Sequence, residues 1–149
     1  MSSLKSRVIE CLINVLEDRI KLIQIEINQS RIENALNAKS SVGDKHEVSN
    51  EMAAAEIERL SQQLSEKQRM LFEIRSVQDA VSAVIANGSL VRTSIGLYLI
   101  ATAFGKIEVD NQIIFVISKQ SPLANNFIGS SLGQVVTMNG IVHRIVEVV

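Results

Sequence analysis

The sequence predicts an α+β protein in which a long antiparallel helical hairpin of the coiled-coil type precedes a small antiparallel β domain with one short helix. Charge is concentrated in the first half, since residues 1–86 hold 11 of the 15 basic and 13 of the 16 acidic residues. The second half, residues 87–149, holds six of the seven glycines, the single proline and four of the five aromatic residues. We therefore expect two domains that meet near residue 86.

The first arm of the hairpin is predicted by apolar residues at alternating spacings of four and three, which is the seam of a helix that packs against another helix. These residues are Ile9, Ile13, Leu16, Ile20, Ile23 and Ile27. We expect Leu12, Val15, Leu22 and Ile25 to widen this stripe toward the core. Basic residues along the arm, among them Lys5 and Arg7, are expected on a solvated helix face.

The second arm follows a turn at residues 39–44, where both the helical period and the apolar content are lost. Its predicted seam consists of Ala53, Ile57, Leu60, Leu64, Leu71, Ile74 and Val81, with Lys67 as an interruption. An antiparallel hairpin with its tip near residues 40–47 satisfies both seams. Arms of this length reach about 55 Å at 1.5 Å per residue.

The second half is predicted to form short strands separated by turn residues. The predicted strands are residues 90–93, 97–102, 106–109, 112–117, 134–138 and 142–148. Residues 121–129 predict a short helix, with Ser121 as N-cap, Pro122 at the first helical position and Gly129 at its end. Leu123, Phe127 and Ile128 are expected to cover one face of the sheet. Because so few residues form only a marginal core, we expect this domain to pack on the base of the hairpin.

Composition excludes several classes of function. The net charge of -1 provides no overall basic field for nucleic acid. A single cysteine, Cys11, allows neither an internal disulfide nor a paired-cysteine site, and it favours a cytoplasmic location. His46 and His143 lie in different halves without a neighbouring cysteine, which disfavours a zinc site. We expect no membrane span, no stably bound cofactor and no small-molecule substrate.

The pair Asp44 and Glu47 is the strongest candidate for chemistry. Its i,i+3 spacing places both carboxylates on one side of the predicted tip. Two such groups suit Mg²⁺, which takes oxygen ligands and keeps several waters. The same residues also suit a helix start, because Asp is a favoured N-cap and Glu three residues later completes a capping-box arrangement. The two interpretations are compatible.

The chain resembles the bacterial Gre-type transcript-cleavage elongation factors. The resemblance rests on the long hairpin, on the tip Gly43-Asp44-Lys45-His46-Glu47, and on the segment Ser-Pro-Leu-Ala-x-x-x-Ile-Gly that begins at Ser121. A following Gly-x-Val-Val and a terminal Ile-Val-x-Val-Val extend it. The similarity runs along the whole chain in order.

The resemblance implies a function for each part. It implies that the hairpin enters the secondary channel of bacterial RNA polymerase and that an FKBP-like C-terminal domain docks on the rim. Asp44 and Glu47 would act as the catalytic, metal-binding pair that helps to hold the second Mg²⁺ of the polymerase, near the nascent RNA 3′ end. Ser121, Pro122 and Leu123 would form the docking loop. The chain would then not be an enzyme itself, but would stimulate the cleavage of backtracked RNA by the polymerase.

Two alternatives remain open. The family continues after the acidic pair with an Asn-Ala-Glu-Tyr-like stretch, whereas this chain has Val48-Ser49-Asn50-Glu51. The chain is therefore either a cleavage factor or a Gre-like regulator that occupies the channel without cleavage. A third hypothesis is a structural coiled-coil adaptor that self-associates through its seam.

Overall fold

The computed structural model describes the backbone of residues 3–40 and 44–149, and the side chains of that part except those of residues 37–40, 44–47 and 49. Two long helices come first, α1 at Leu4–Ser40 and α2 at Asp44–Ser76. The strands are β1 at Leu90–Thr93, β2 at Leu97–Ile100, β3 at Gly105–Val109, β4 at Gln112–Ile117, β5 at Val135–Met138 and β6 at Ile141–Val148. A short helix, α3 at Pro122–Phe127, lies between β4 and β5. The predicted α+β class is confirmed.

The seam predicted for the helices is buried over most of its length. Its fully or nearly buried members are Ile9, Leu16, Ile23, Ile27, Leu60, Leu71 and Ile74. Two predictions about the seam and the residues next to it are wrong. Leu22 and Ile25 do not widen the core-facing stripe, because their side chains are 60% and 51% exposed. Val81 is 92% exposed, because α2 ends at Ser76 and the helical period no longer applies to it.

The chain packs into two compact units. One unit combines residues 1–14 with residues 70–149, and the other consists of residues 15–69. The first unit, called here the sheet unit, thus contains the start of α1 and the end of α2 together with all six strands. The second, the hairpin unit, contains the rest of both helices. The domain boundary near residue 86 stays a prediction, since these units group residues by packing and not by independent folding.

The six strands form one mixed sheet in the order β3-β4-β2-β1-β6-β5. Five neighbouring pairs exist, and four of them are antiparallel. The exception is β2 with β4, which run parallel. The expectation of a purely antiparallel sheet is therefore wrong in this detail. The chain turns at Asp110 and Asn111, which both have positive φ, so that β4 runs antiparallel to β3. β4 lies between β3 and β2, and in this position it runs parallel to β2.

One face of the sheet holds an aromatic and aliphatic core. Buried members of this cluster are Ile85, Val91, Tyr98, Ile100, Ala124, Phe127, Val136 and Ile145. The opposite face is buried as well, because Leu97, Leu99, Ile114 and Val116 are at most 5% exposed and alternate with the first set along β2 and β4. A sheet buried on both faces explains why these strands read as continuous apolar runs.

Candidate functional site

The acidic pair lies at the beginning of the second helix. α2 starts at Asp44, at the point where the capping pattern predicts a helix start, and Glu47 follows one turn later. The side chains of Asp44 and Glu47 lie outside the described residues, as does the backbone of residues 41–43. Their role as a cation-binding pair stays a prediction.

The hairpin unit carries this pair on two helical arms. Residues 15–40 of α1 and 44–69 of α2 are helical, 26 residues in each arm, which corresponds to about 39 Å at 1.5 Å per residue. The arms are held together by a cluster of Ile23, Ile27 and Leu60. Ile57 and Leu64 pack against that cluster while remaining partly exposed. The junction is thus a single narrow row of aliphatic side chains.

Beyond Ile27 the seam becomes polar. The 4-3 spacing continues through Ser30 and Asn34, and both side chains are half-buried. Asn34 Oδ1 is buried and has no hydrogen-bond partner within the described residues. A buried acceptor without a partner costs about 1–3 kcal/mol. The described stretch of α1 leading to the acidic pair is therefore less stabilised by packing than the stretch around Ile23.

The predicted docking segment forms the start of α3. Ser121 Oγ accepts a hydrogen bond from the backbone N–H of Ala124 at 3.2 Å, and Pro122 occupies the first turn, as the sequence predicts. Pro122 is exposed, whereas Leu123 is half-buried and packs against the aromatic core. Ile128, expected to cover the sheet, is 41% exposed instead, because the helix ends at Phe127. Pro122 is therefore the most accessible of the three predicted docking residues.

An open groove of about 510 Å³ lies beside this segment. Its walls include Phe104, Val116, Ile117 and Ser121, so it is lined mainly by apolar atoms. Val116 and Ile117 end β4, which lies between β3 and β2, and Ser121 caps α3. The groove and the exposed ring of Pro122 make this end of the sheet unit suited to contact with another protein.

Sequence reasoning missed a histidine in the core of the sheet unit. His143 is 4% exposed, and its Nδ1 lies 3.3 Å from Thr93 Oγ1. The ring packs edge-on against Tyr98 and Phe127, with centroids 5.6 and 5.3 Å apart. Burial lowers the pKa of His143. The burial of His143 could have been predicted from the alternation of side chains along β6, since His143 and the buried Ile145 lie on the same face of the strand.

The start of α1 is likewise more buried than expected. Lys5 is only 7% exposed, so its assignment to a solvated face is wrong. Its Nζ donates hydrogen bonds to the carbonyl oxygens of Ala80, at 2.6 Å, and Val149, at 3.2 Å. Burial lowers the pKa of the Lys5 ammonium. Arg7 Nε donates to Asp110 Oδ2 at 2.7 Å, which connects the start of α1 to the β3–β4 turn.

The described residues include neither a metal-binding cluster nor a membrane-spanning helix. Among the side chains that the structure describes, no group of three His, Cys, Asp or Glu residues is placed to hold a metal ion. No helix in the described ranges has the length and apolarity needed to cross a bilayer.

Comparison with known proteins found a distant likeness. The chain is similar to the solved structure of the transcription factor Gfh1, with 16% sequence identity, 91% of this chain and 92% of that chain covered, and a TM-score of 0.34. No family model matches the chain, and no curated protein matches it.

Proposed function

We propose that this protein is a transcription factor that binds bacterial RNA polymerase and supports Mg²⁺-dependent cleavage of backtracked RNA. In this proposal the hairpin enters the secondary channel, and Asp44 and Glu47 serve the active centre of the polymerase. The protein is then a cofactor of another enzyme and carries no complete active site of its own.

The observation that carries the proposal is an acidic pair at the start of α2, where the two long arms join. Each arm of the hairpin unit has 26 helical residues and only one seam, so its cross-section is that of two helices. Two packed helices are about 20 Å across, each being roughly 10 Å wide. Such an arm is suited to reach a catalytic centre at the end of a narrow channel.

The chemistry required of the tip is modest. Two-metal hydrolysis needs a second cation held near the first, which stabilises the attacking and leaving oxygens. Asp44 and Glu47 would contribute carboxylate oxygens to that cation, which suits Mg²⁺ because it needs few protein ligands when phosphates and waters supply the rest. The residues of this chain bind and orient, while the polymerase performs the cleavage.

Asp44→Asn tests the proposal directly. Asn caps a helix about as well as Asp, so the free energy of unfolding should change by less than roughly 1 kcal/mol. Asn lacks the charge that Mg²⁺ needs, so stimulated cleavage of RNA in a backtracked complex should be abolished. The matched control is Glu51→Gln, which removes an exposed carboxylate one turn beyond Glu47 and should leave cleavage intact.

The same assay separates the alternatives. If the wild-type protein binds the cognate polymerase but leaves the backtracked RNA intact, the cleavage role is wrong and the non-cleaving regulator remains. The altered stretch Val48-Ser49-Asn50-Glu51 after the acidic pair favours that second function. Absence of polymerase binding would reject both and leave the adaptor hypothesis.

The docking assignment has its own test. Pro122→Ala combined with Leu123→Ala should weaken polymerase binding in a pull-down titration, because the exposed ring of Pro122 and the outer part of Leu123 would be lost. The control is Ile128→Ala, which removes a comparable exposed side chain beyond the end of α3. Circular dichroism must show an intact helical hairpin in both variants. Equal affinity of variant and wild type would reject the docking role.

A further inference from the structure

The part of α1 in the hairpin unit carries a second apolar row. We call it the outer stripe and define it as Leu22, Ile25, Gln29, Ile32 and Leu36. Its spacings of three, four, three and four are those of a coiled-coil seam. The four aliphatic members are 60%, 51%, 61% and 61% exposed. Four exposed aliphatic residues at this spacing, with Gln29 between them, differ from the scattered exposed apolar residues of an ordinary surface.

The outer stripe faces away from α2. At 3.6 residues per turn, Ile32 lies about 180° around the helix from Ile23, and Ile23 packs against Leu60 of α2. The seam around Ile23 thus packs against α2 within the chain, whereas the outer stripe, which has the same period, is solvent-exposed. α1 has the sequence of a helix that is packed on two opposite sides, and among the described residues α2 covers the side of Ile23.

We propose that the outer stripe is an interface between copies of this chain, with the α1 helices of the copies side by side and parallel. In heptad terms Leu22, Gln29 and Leu36 take the a positions, and Ile25 and Ile32 take the d positions. Parallel pairing places each residue of the stripe opposite the same residue of the other copy. Gln29 then meets Gln29, where two amide side chains can hydrogen-bond to each other and fix the register.

Charges beside the outer stripe favour a second copy of this chain as the partner, and they favour a parallel arrangement of the α1 helices. Lys21 is at a g position and Glu26 at the following e position, so a parallel arrangement brings Lys21 of one copy to Glu26 of the next in both directions. An antiparallel arrangement centred on Gln29 instead brings Glu26 beside Glu33 of the other copy. Like charges at such positions disfavour pairing. Leu at a with Ile at d is typical of assemblies with more than two strands, so masses above that of a dimer are included in the proposal.

The proposal goes beyond the function proposed above, and its test contains no polymerase. An arm paired through the outer stripe is wider than two helices, so only the dissociated copy would enter a narrow channel. Sedimentation equilibrium of the full chain over a wide concentration range should show mass rising above the 16.4 kDa of one copy, to about 33 kDa or a higher multiple. Ile25→Glu combined with Ile32→Glu should restore 16.4 kDa. Met52→Glu is the matched control, since Met52 is 69% exposed on α2, and it should not change the assembly. A wild-type protein that stays monomeric would overturn the proposal, as would an assembly insensitive to the stripe variants.

A charge exchange tests the orientation without removing any apolar side chain. Lys21→Glu and Glu26→Lys should each associate more weakly than wild type, because each variant places like charges where position 21 of one copy meets position 26 of the other. An equimolar mixture of the two variants should regain the wild-type mass, since positions 21 and 26 of the two different chains then carry opposite charges at both contacts. Failure of the mixture to regain that mass, with both variants folded by circular dichroism, would reject the parallel arrangement.

A cross-linking experiment gives independent evidence on the same point. In a Cys11→Ser background, Leu36→Cys should form a disulfide-linked dimer on mild oxidation, because parallel helices place position 36 opposite itself. An antiparallel pair places position 36 near position 22, so no such dimer would form unless Leu22→Cys is mixed in. Cross-linking only in that mixture would overturn the parallel register.

Discussion

The sheet unit and the hairpin unit are stabilised in different ways. The sheet unit buries both faces of its inner strands β2 and β4, and a cluster of eight buried residues from the strands, α3 and the segment before β1 fills one side of the sheet. In the described part of the hairpin unit, Ile23, Ile27 and Leu60 form a cluster of three buried residues. In the sheet unit each buried side chain is therefore one of many that stabilise the core. In the hairpin unit a single seam residue contributes a large share of the packing between the helices.

The difference also determines which surfaces are available to partners. Polar and charged residues cover most of α2 in the hairpin unit, while α1 exposes the outer stripe. In the sheet unit the exposed apolar residues include Ile95, Ile113 and Leu132, and they do not form a row along a helix. Because α1 packs on α2 along one narrow seam, the rest of its apolar sequence in the hairpin unit remains exposed.

The largest expected effect is in the sheet core. Phe127→Ala should lower the free energy of unfolding by about 3–5 kcal/mol, because Phe127 is fully buried among Tyr98, Ala124 and His143 and leaves a large cavity. Urea denaturation followed by the near-ultraviolet signal of Tyr98 measures it. Phe72→Ala is the control, since Phe72 is 74% exposed and should cost less than about 0.5 kcal/mol.

The next effect tests the seam. Leu60→Ala should cost about 2–3 kcal/mol, at the lower end for buried leucines because the gap opens to solvent beside a narrow seam. The loss should appear in the far-ultraviolet helix signal and spare the Tyr98 signal. If both signals shift to the same denaturant concentration, the two units unfold as one and the contrast between them is wrong.

A smaller effect of opposite sign is expected near the tip. Asn34→Leu should stabilise the hairpin by about 1 kcal/mol, because it removes a buried acceptor that has no partner in the described part of the chain. Thermal denaturation of the helix signal measures the gain. Asn28→Leu is the control at an exposed position, and an equal gain there would show that helix propensity and not the seam is responsible.

The smallest effect is a pH dependence confined to the sheet unit. Burial lowers the pKa of His143 in the folded protein, below the value of about 6.5 expected in the unfolded chain. The stability associated with neutral His143 is therefore fully present above about pH 6.5 and is lost as the pH falls through the folded pKa. Urea denaturation at a series of pH values should show this loss. His143→Gln should flatten the profile over that range.

Several elements were predictable because their signals are local. The limits of β1 and β4 agree with the predicted 90–93 and 112–117, since turn residues bracket each apolar run. The cap of α3 was also predictable, because Ser121 and Pro122 act on backbone groups within four residues. The acidic pair was found in the same way, from spacing at a helix start.

Other features depend on residues far apart in the chain. The parallel pairing of β2 with β4 follows from which strand of the β3–β4 hairpin lies next to β2, and no local pattern encodes that choice. Leu22 and Ile25 have the residue types of a core stripe, and only the position of α2 shows that they face the other way. Lys5 was assigned to solvent from its charge, while its burial depends on carbonyl groups 75 and 144 residues away.

Local sequence determined the two long helices, the positions of the strands and turns, and the acidic pair at the start of α2, because periodicity and capping act over a few residues. Tertiary structure alone decided the order of the strands, the burial of Lys5 and His143, and which apolar row of α1 is covered. The physical reason is that burial is shared between distant segments. A side chain's type shows what it can contact, but the neighbours supplied by the fold decide whether it does.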